Sequence, residues 1–276
     1  MDIGGFRLEQ LSEGIFEISP AGSIRKTEGQ HSRNIPSADA GMVGIDPVLI
    51  DTGRTCVLLD AGLGIGLDAQ EPDHDTSNIV TNLDVLGYRP EDITHVILSH
   101  LHYDHAAGLS FTNKKGSVTA TLPNAKIYVQ RMEWEAALNS IESPATVDGM
   151  GYETDDLYRL AADSRFVFLE KEREEIISGI TVLRTGGHTP GHQIVLIRDQ
   201  QKTAYFCGDI IPNEDYLSLY SPGKIHTDNT KVRNLRTLLM QQAFREKATL
   251  LFYHSIYKKT GIITRDKHKR FVLKGN

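Results

Sequence analysis

Cysteine is almost absent from this chain. Only Cys56 and Cys207 occur among 276 residues, each within an apolar run, Thr55-Cys56-Val57-Leu58-Leu59 and Ala204-Tyr205-Phe206-Cys207. That supply rules out a disulfide scaffold, and the apolar context reads as two buried reduced thiols rather than a catalytic pair. Long hydrophobic runs are missing too: nothing approaches the ~20 apolar residues of a membrane-spanning helix. The opening residues Met1-Asp2-Ile3-Gly4-Gly5-Phe6 carry neither the basic nor the apolar segment of a secretory signal. Nor is there a basic excess. The formal net charge of -6 argues against a nucleic-acid partner, which calls for a basic face. These absences together lead us to expect a cytoplasmic protein with no membrane and no nucleic-acid partner.

What is present is ordinary globular composition, 24% charged and 39% hydrophobic, in a chain long enough to bury a sizeable core. No linker-like or low-complexity segment interrupts it, so one domain is expected over 1–276. A strand or hairpin is expected over 7–19, a strand and turn over 48–53, and a returning strand over 55–59. Further strands are expected at 93–98, 125–130, 166–169, 180–183, 194–197, 203–207 and 249–253. Apolar spacing places helices at 78–86, with Gly87 as C-cap, at 131–139 and at 230–244. The polar stretches 20–45 and 211–228 read as long loops. The charge run 170–175 reads as a solvated connection, and the basic tail from 258 as peripheral structure. This order of elements predicts a layered α/β sandwich with sheets inside and helices outside.

One stretch concentrates the chemistry. His100, His102, Asp104 and His105 follow directly on the apolar run Val96-Ile97-Leu98. Imidazole and carboxylate are ligands for zinc and neighbouring divalent ions. His100 and His102 lie two apart on an extended segment and so project to one side. Asp104 continues that alternation, and His105 is then reached through a turn. Other polar residues close expected strands in the same manner. Asp60 follows 57–59, the run Gly186-Gly187-His188-Thr189-Pro190-Gly191-His192 follows 180–183, Asp209 follows 203–207, and His254 follows 249–253. Buried strands ending this way point to one shared rim.

His100-x-His102-x-Asp104-His105, His188 in its Gly-His-Thr-Pro-Gly-His setting, Asp209 in Gly-Asp, and His254 together resemble the metallo-β-lactamase superfamily. The resemblance runs from about Val48 to His254. Within the superfamily, the stretches Ser99 to Leu109, Thr185 to His188 and Leu251 to His254 are most similar to the YtnP-like, quorum-quenching lactonase group. The resemblance implies an αββα sandwich and two divalent metal ions, zinc being the first choice. It implies that His100, His102 and His188 hold one ion, that Asp104, His105 and His254 hold the other, and that Asp209 bridges them. The implied reaction is opening of a lactone, N-acyl-homoserine lactones among them, or cleavage of a related carboxylic ester. A hydroxide between the metals would attack the carbonyl, with Asp104 helping to move the proton. The partner is then a small-molecule ester or lactone, with homodimerisation left open. A hydrolase of thioesters or phosphoesters is the alternative, and a non-catalytic metal-binding protein a more distant one.

Two departures stand out. The second-site cysteine of many zinc β-lactamases is replaced by Asp209. The tyrosine that the best-known acyl-homoserine lactonases place three residues after the bridging aspartate is Pro212 here. Tyr216 and Tyr220 lie in the loop beyond and are candidates to reach substrate instead. Asp60 and His192 are expected to support the ligands by hydrogen bonds rather than bind metal directly. His95 reads as structural, and His31, His74, His226 and His268 are assigned no role.

Overall fold

The computed structural model describes residues 1–18, 24–26, 41–64, 77–112, 117–140, 151–152, 154–217 and 228–274. Two seven-stranded sheets lie face to face. The first runs, in spatial order, Asp2–Ile3, Phe6–Gln10, Val48–Asp51, Cys56–Leu59, Ile93–Ile97, Lys126–Gln130 and Phe166–Leu169. Its pairings are antiparallel as far as Cys56–Leu59 and parallel beyond. The second runs Arg173–Ile177, Ile180–Arg184, Gln193–Asp199, Lys202–Phe206, Thr249–Leu251, Thr260–Arg265 and Phe271–Leu273. Only the pairing of Lys202–Phe206 with Thr249–Leu251 is parallel there.

The apolar runs of the sequence are unbroken because these strands are buried on both faces. Successive side chains of a strand point to opposite faces. Val48, Ile50, Val57, Leu59 and Ile97 face inward and meet Val182, Val195, Ile197, Phe206 and Leu251 of the second sheet. The intervening Leu49, Leu58, Val96 and Leu98 face outward, under Ile79 and Leu83 of the helix Asn78–Val85 and Ala137 of the helix Arg131–Ser140. On the far side Ile194, Leu196, Tyr205, Cys207 and Leu250 pack under Val232, Met240 and Ala243 of the helix Asn229–Glu246. Helix, sheet, sheet and helix are therefore stacked in that order, the αββα sandwich expected.

Local chemistry explains the element ends. The Ser77 hydroxyl accepts the Ile79 amide at 3.2 Å to open the first helix. Gly87, with φ of 81°, closes it. Asp228 caps the long helix by accepting from the Lys231 amide at 2.9 Å. Gln200 and Gln201, both at positive φ, form the tight hairpin between Gln193–Asp199 and Lys202–Phe206.

Three stretches differ from expectation, and the basic tail is peripheral as expected but forms strands at the sheet edge. The charge run 170–175 is not wholly a connection, because Arg173–Ile177 is the edge strand of the second sheet. The consecutive charges Arg173, Glu174 and Glu175 on this edge disfavour pairing with another chain. The basic tail folds into the hairpin Thr260–Arg265 and Phe271–Leu273, which extends the same sheet. The stretch 20–45 contains the strands Ile24–Lys26 and Gly41–Ile45, which flank Gly14–Ile18 in a separate small sheet. The helix Thr154–Ala162, which buries Leu157 and Leu160, lacked a sequence signal strong enough to be expected. Among the described residues, no helix is long and apolar enough to cross a membrane.

Phe206 is fully buried between the sheets and stacks edge-on to Tyr253 at 6.0 Å. Phe206→Ala is expected to lower unfolding free energy by about 3–5 kcal/mol, read from urea denaturation. A shift below about 1 kcal/mol would show that the inter-sheet layer is not the main core.

Candidate metal centre

The polar residues collect at one rim because of strand sense. Cys56–Leu59 and Ile93–Ile97 run parallel, so Asp60 and the segment from Ser99 onward leave the first sheet at the same end. In the second sheet Ile180–Arg184 is two antiparallel steps from Lys202–Phe206, which is parallel to Thr249–Leu251. His188, Asp209 and His254 therefore also leave at a common end. A buried amide side chain locks the two rims together. Gln193 Nε2 donates to the Leu98 carbonyl at 2.7 Å, and the Gln193 amide N–H donates to the Ser99 carbonyl at 2.8 Å. Gln130 Nε2 donates to Gln193 Oε1 at 2.8 Å.

The alternation expected through Asp104 ends one step early. His102 is extended, with φ −60° and ψ 151°, and caps a single helical turn, Tyr103–Ala106. That turn, not a continued strand, delivers both Asp104 and His105. Opposite it, Gly186 and Gly187 at φ of 59° and 93° turn the chain so that His188 faces His100 and His102.

Two clusters result, and every member is buried. In the first, His100 Nε2 and His102 Nδ1 are 3.0 Å apart, and His188 Nε2 lies 3.2 Å from each. Nitrogens around a tetrahedral zinc ion at about 2.0–2.1 Å stand about 3.3 Å from one another. In the second, His105 Nε2 and His254 Nε2 are 3.2 Å apart, with Asp104 Oδ2 at 3.5 and 3.3 Å from them. Asp209 lies between the clusters. Its Oδ1 is 3.4 Å from His105 and 3.3 Å from His254, while its Oδ2 is 3.3 Å from His188. Both oxygens of Asp104 and Oδ1 of Asp209 are buried without a hydrogen-bond partner. Orphaned carboxylate oxygens facing bare imidazole nitrogens suit divalent cations, and the donor set fits two of them.

The rear nitrogens of His105, His100 and His254 are engaged, which turns the other nitrogen toward the centre. His105 Nδ1 donates to Asp60 Oδ2 at 2.7 Å. The Ser99 hydroxyl donates to Asp60 Oδ2 at 2.7 Å and so accepts from His100 Nδ1 at 3.0 Å. His254 Nδ1 donates to the Gly44 carbonyl at 2.9 Å. Asp60 itself sits at φ 55°, an uncommon conformation for a residue with a Cβ, and also accepts the Ser99 amide. His192 faces away from the clusters' nitrogens. Its Nδ1 donates to the Thr185 hydroxyl at 2.7 Å and its Nε2 accepts the Asp209 amide at 3.2 Å, fixing the backbone that carries Asp209. Gly208, at φ 47°, lets the chain pass there, since a Cβ would lie 2.7 Å from His192 Nε2 and 2.9 Å from Ser99 Cβ.

Charge divides the two clusters. Burial, then the rings of His105, His102 and His188, holds His100 well below the usual imidazole value, and burial brings His102 down to about 4. Burial also opposes protonation of His105, but Asp104, Asp209 and Asp60 outweigh it and hold His105 well above that value. For His254 burial is likewise outweighed, by Asp209 and Asp104. Burial raises Asp209, yet His254, His105 and His188 together hold it well below the carboxylate range. The first cluster offers three lone pairs; the second demands positive charge between its carboxylates.

Glu133 carries no sequence signal for this role. It lies on the helix Arg131–Ser140 and is fully buried. Its Oε1 accepts the Leu101 amide at 3.1 Å, and its Oε2 accepts the Thr189 hydroxyl at 2.6 Å and the Gly191 amide at 3.0 Å. One carboxylate thus ties the loop of His100 and His102 to the loop of His188. Burial raises its pKa, against those hydrogen bonds. Ser99 and Gln193 were also missed, though Ser99 adjoins the motif.

The remaining candidates lie apart. Tyr216 is half-buried with its ring under the Arg236 guanidinium at 4.8 Å, and burial, then the charge of Asp209, raises its pKa. The buried Pro212 presents its carbonyl to the His254 amide at 2.9 Å. His95 stacks on Tyr128 at 5.5 Å, outside both clusters. Cys207 is buried, and burial pushes its thiol up to about 12. His268 is exposed in the turn of the last hairpin. His31, His74, His226 and Tyr220 lie outside the described residues.

The Metallo-beta-lactamase superfamily profile matches residues 41–246, and the chain belongs to that superfamily. An N-acyl homoserine lactonase from a Bacillus species is 33% identical over 162 residues, 56% of this chain and 55% of that protein. N-acyl homoserine lactonase AttM of Rhizobium radiobacter is 31% identical over 122 residues, 43% of this chain and 41% of that protein. The chain thus aligns with about half the length of these curated relatives. Among solved structures, a probable metal-dependent hydrolase from Staphylococcus aureus superposes with a TM-score of 0.76 at 22% identity, covering 100% of this chain and 99% of that one. AidC, a dizinc quorum-quenching lactonase, superposes with a TM-score of 0.75 at 20% identity, covering 100% and 96%. At those identities the superpositions establish the fold.

Glu133→Gln replaces an acceptor-only group with an amide whose NH₂ must face backbone N–H donors. It is expected to cost about 1–3 kcal/mol in urea denaturation. Unchanged stability would mean that the two histidine loops hold without this link.

Proposed function

We propose that this chain, as a single domain over 1–276, is a dinuclear metal-dependent hydrolase. It opens a lactone, N-acyl-homoserine lactones being the first candidates, or cleaves a related carboxylic ester. The observation that carries this reading is Asp209, whose two oxygens face different imidazole clusters. In the proposal His100, His102 and His188 hold one ion, Asp104, His105 and His254 the other, and Asp209 joins them, with zinc the preferred metal. The local match to N-acyl homoserine lactonases supports the substrate class, and the fold shared with a dizinc lactonase supports the ion count.

Two bound divalent ions would supply an activated water as nucleophile and polarise the scissile carbonyl. The chain's own groups do the rest. Asp104 Oδ2 is turned to His105 and His254, and its Oδ1 has no hydrogen-bond partner. Oδ1 is the atom we assign to take up the proton and return it to the leaving alkoxide. Asp60 and Ser99 keep the His105 and His100 rings from rotating during turnover. Pro212 carries no hydroxyl, so in this reading the donor to the carbonyl oxygen comes from elsewhere, with Tyr216, Tyr220 and the 20–45 stretch as the candidates. The proposal includes a cytoplasmic location, in keeping with two free cysteines, and no nucleic-acid partner, supported by the net charge of -6, and leaves homodimerisation open.

A pH-indicator screen of lactones of varied acyl length, simple esters, thioesters and phosphodiesters tests the reading, with metal analysis alongside. About two equivalents of metal per chain and preference for lactones are expected. Asp104→Asn is expected to reduce kcat by about 10²–10⁴-fold, and His188→Ala to lose both activity and metal. Normal turnover with full metal content in either variant, or turnover of phosphodiesters alone, would sink the assignment.

A further inference from the structure

Behind His254 lies a half-buried ion pair that the reaction does not use. The Lys259 ammonium is 2.6 Å from Asp46 Oδ2 and donates to the Ser255 carbonyl at 2.6 Å. The Asp46 side chain is fully buried. Asp46 directly follows the strand Gly41–Ile45, and Lys259 closes the loop that starts at His254. The same two segments meet twice more. His254 Nδ1 donates to the Gly44 carbonyl at 2.9 Å, and the Gly44 amide approaches the His254 carbonyl at 3.4 Å. The Phe252 amide donates to the Lys259 carbonyl at 2.9 Å, so the loop is closed on itself at its base.

We propose that Asp46 and Lys259 form a positioning pair that sets the affinity of the second metal position, the one assigned to Asp104, His105 and His254. This inference rests on the two-ion reading above. The geometry runs as a short chain of contacts. His254 is the only histidine of its cluster whose rear nitrogen is held by a backbone carbonyl rather than by Asp60. That carbonyl belongs to a strand of the small separate sheet, not to either large sheet. Its distance from His254 depends on what fastens that strand to the 254–259 loop, and the ion pair is the charged fastening there. Among the described residues, the first cluster is braced elsewhere: His100 through the Ser99 hydroxyl, and the loops of His100, His102 and His188 through Glu133.

Space around the pair leaves no slack. A Cβ on Gly44 would lie 2.8 Å from Asp46 Oδ2 and 2.9 Å from Lys259 Nζ. Removing Lys259 alone leaves the buried Asp46 charge uncompensated, whereas removing both does not. The double variant Asp46→Asn/Lys259→Met therefore separates loss of positioning from misfolding.

The test is metal content per chain, by mass spectrometry, across a graded chelator series. Wild-type chain, Asp46→Asn, Lys259→Arg and the double variant are compared, each with its melting temperature. The expected result is a second equivalent weakened by about 10–100-fold in Asp46→Asn and the double variant. The first equivalent stays as in wild type, and Lys259→Arg, which keeps the charge, shows a smaller shift of the same equivalent. Both equivalents retained at wild-type affinity, with only the melting temperature lowered, would overturn the proposal. So would loss of both equivalents together. Fewer than two equivalents in the wild-type chain would instead overturn the two-ion reading on which it rests.

Discussion

Two buried carboxylates facing five imidazoles across the seam between two sheets are the constraint on which the rest of this structure depends. Asp104 and Asp209 carry oxygens with no hydrogen-bond partner, and an isolated ionised carboxylate cannot be sustained in a protein interior. The surroundings answer by raising His105 and His254 and lowering Asp209. Cations are the natural counterpart of such a cluster. The remaining architecture, from the strand senses to the Gln193 link, brings these charges to one place and keeps their rear atoms engaged.

The supports are not shared equally. Asp60 serves His105 directly and His100 through the Ser99 hydroxyl, so one carboxylate reaches both clusters. Glu133 acts on the loops of the first cluster alone. His254 leans on a backbone carbonyl from a different sheet. The two halves of the centre therefore differ in what can loosen them, although Asp209 reaches both.

Much of this was legible in the sequence, for a physical reason. Strands buried on both faces read as unbroken apolar runs, so a His or Asp ending such a run is conspicuous. That is how the Ile93–Ile97, Lys202–Phe206 and Thr249–Leu251 ends could be recognised. The helical turn at Tyr103–Ala106 was not legible, because four residues carry too little periodicity to distinguish it from extended chain. Glu133 and Lys259 were hidden for another reason. Each acts partly on backbone groups, Glu133 on the Leu101 and Gly191 amides and Lys259 on the Ser255 carbonyl, and backbone acceptors and donors leave no trace in residue identity. Gly44 shows the extreme: it meets His254 through its backbone carbonyl and amide alone.

Each cluster draws its donors from both sheets. His100 and His102 leave the first sheet and His188 the second; Asp104 and His105 leave the first and His254 the second. An ion seated in either position would therefore be a cross-link between the two halves of the molecule as well as a reactive centre. Ligand that binds only the folded chain adds RT ln(1 + [L]/Kd) to its stability, about 2.7 kcal/mol at a hundredfold excess over Kd. Folding and metal loading then become one linked equilibrium, and the hold on the seam between the sheets rises with the logarithm of the free metal around it.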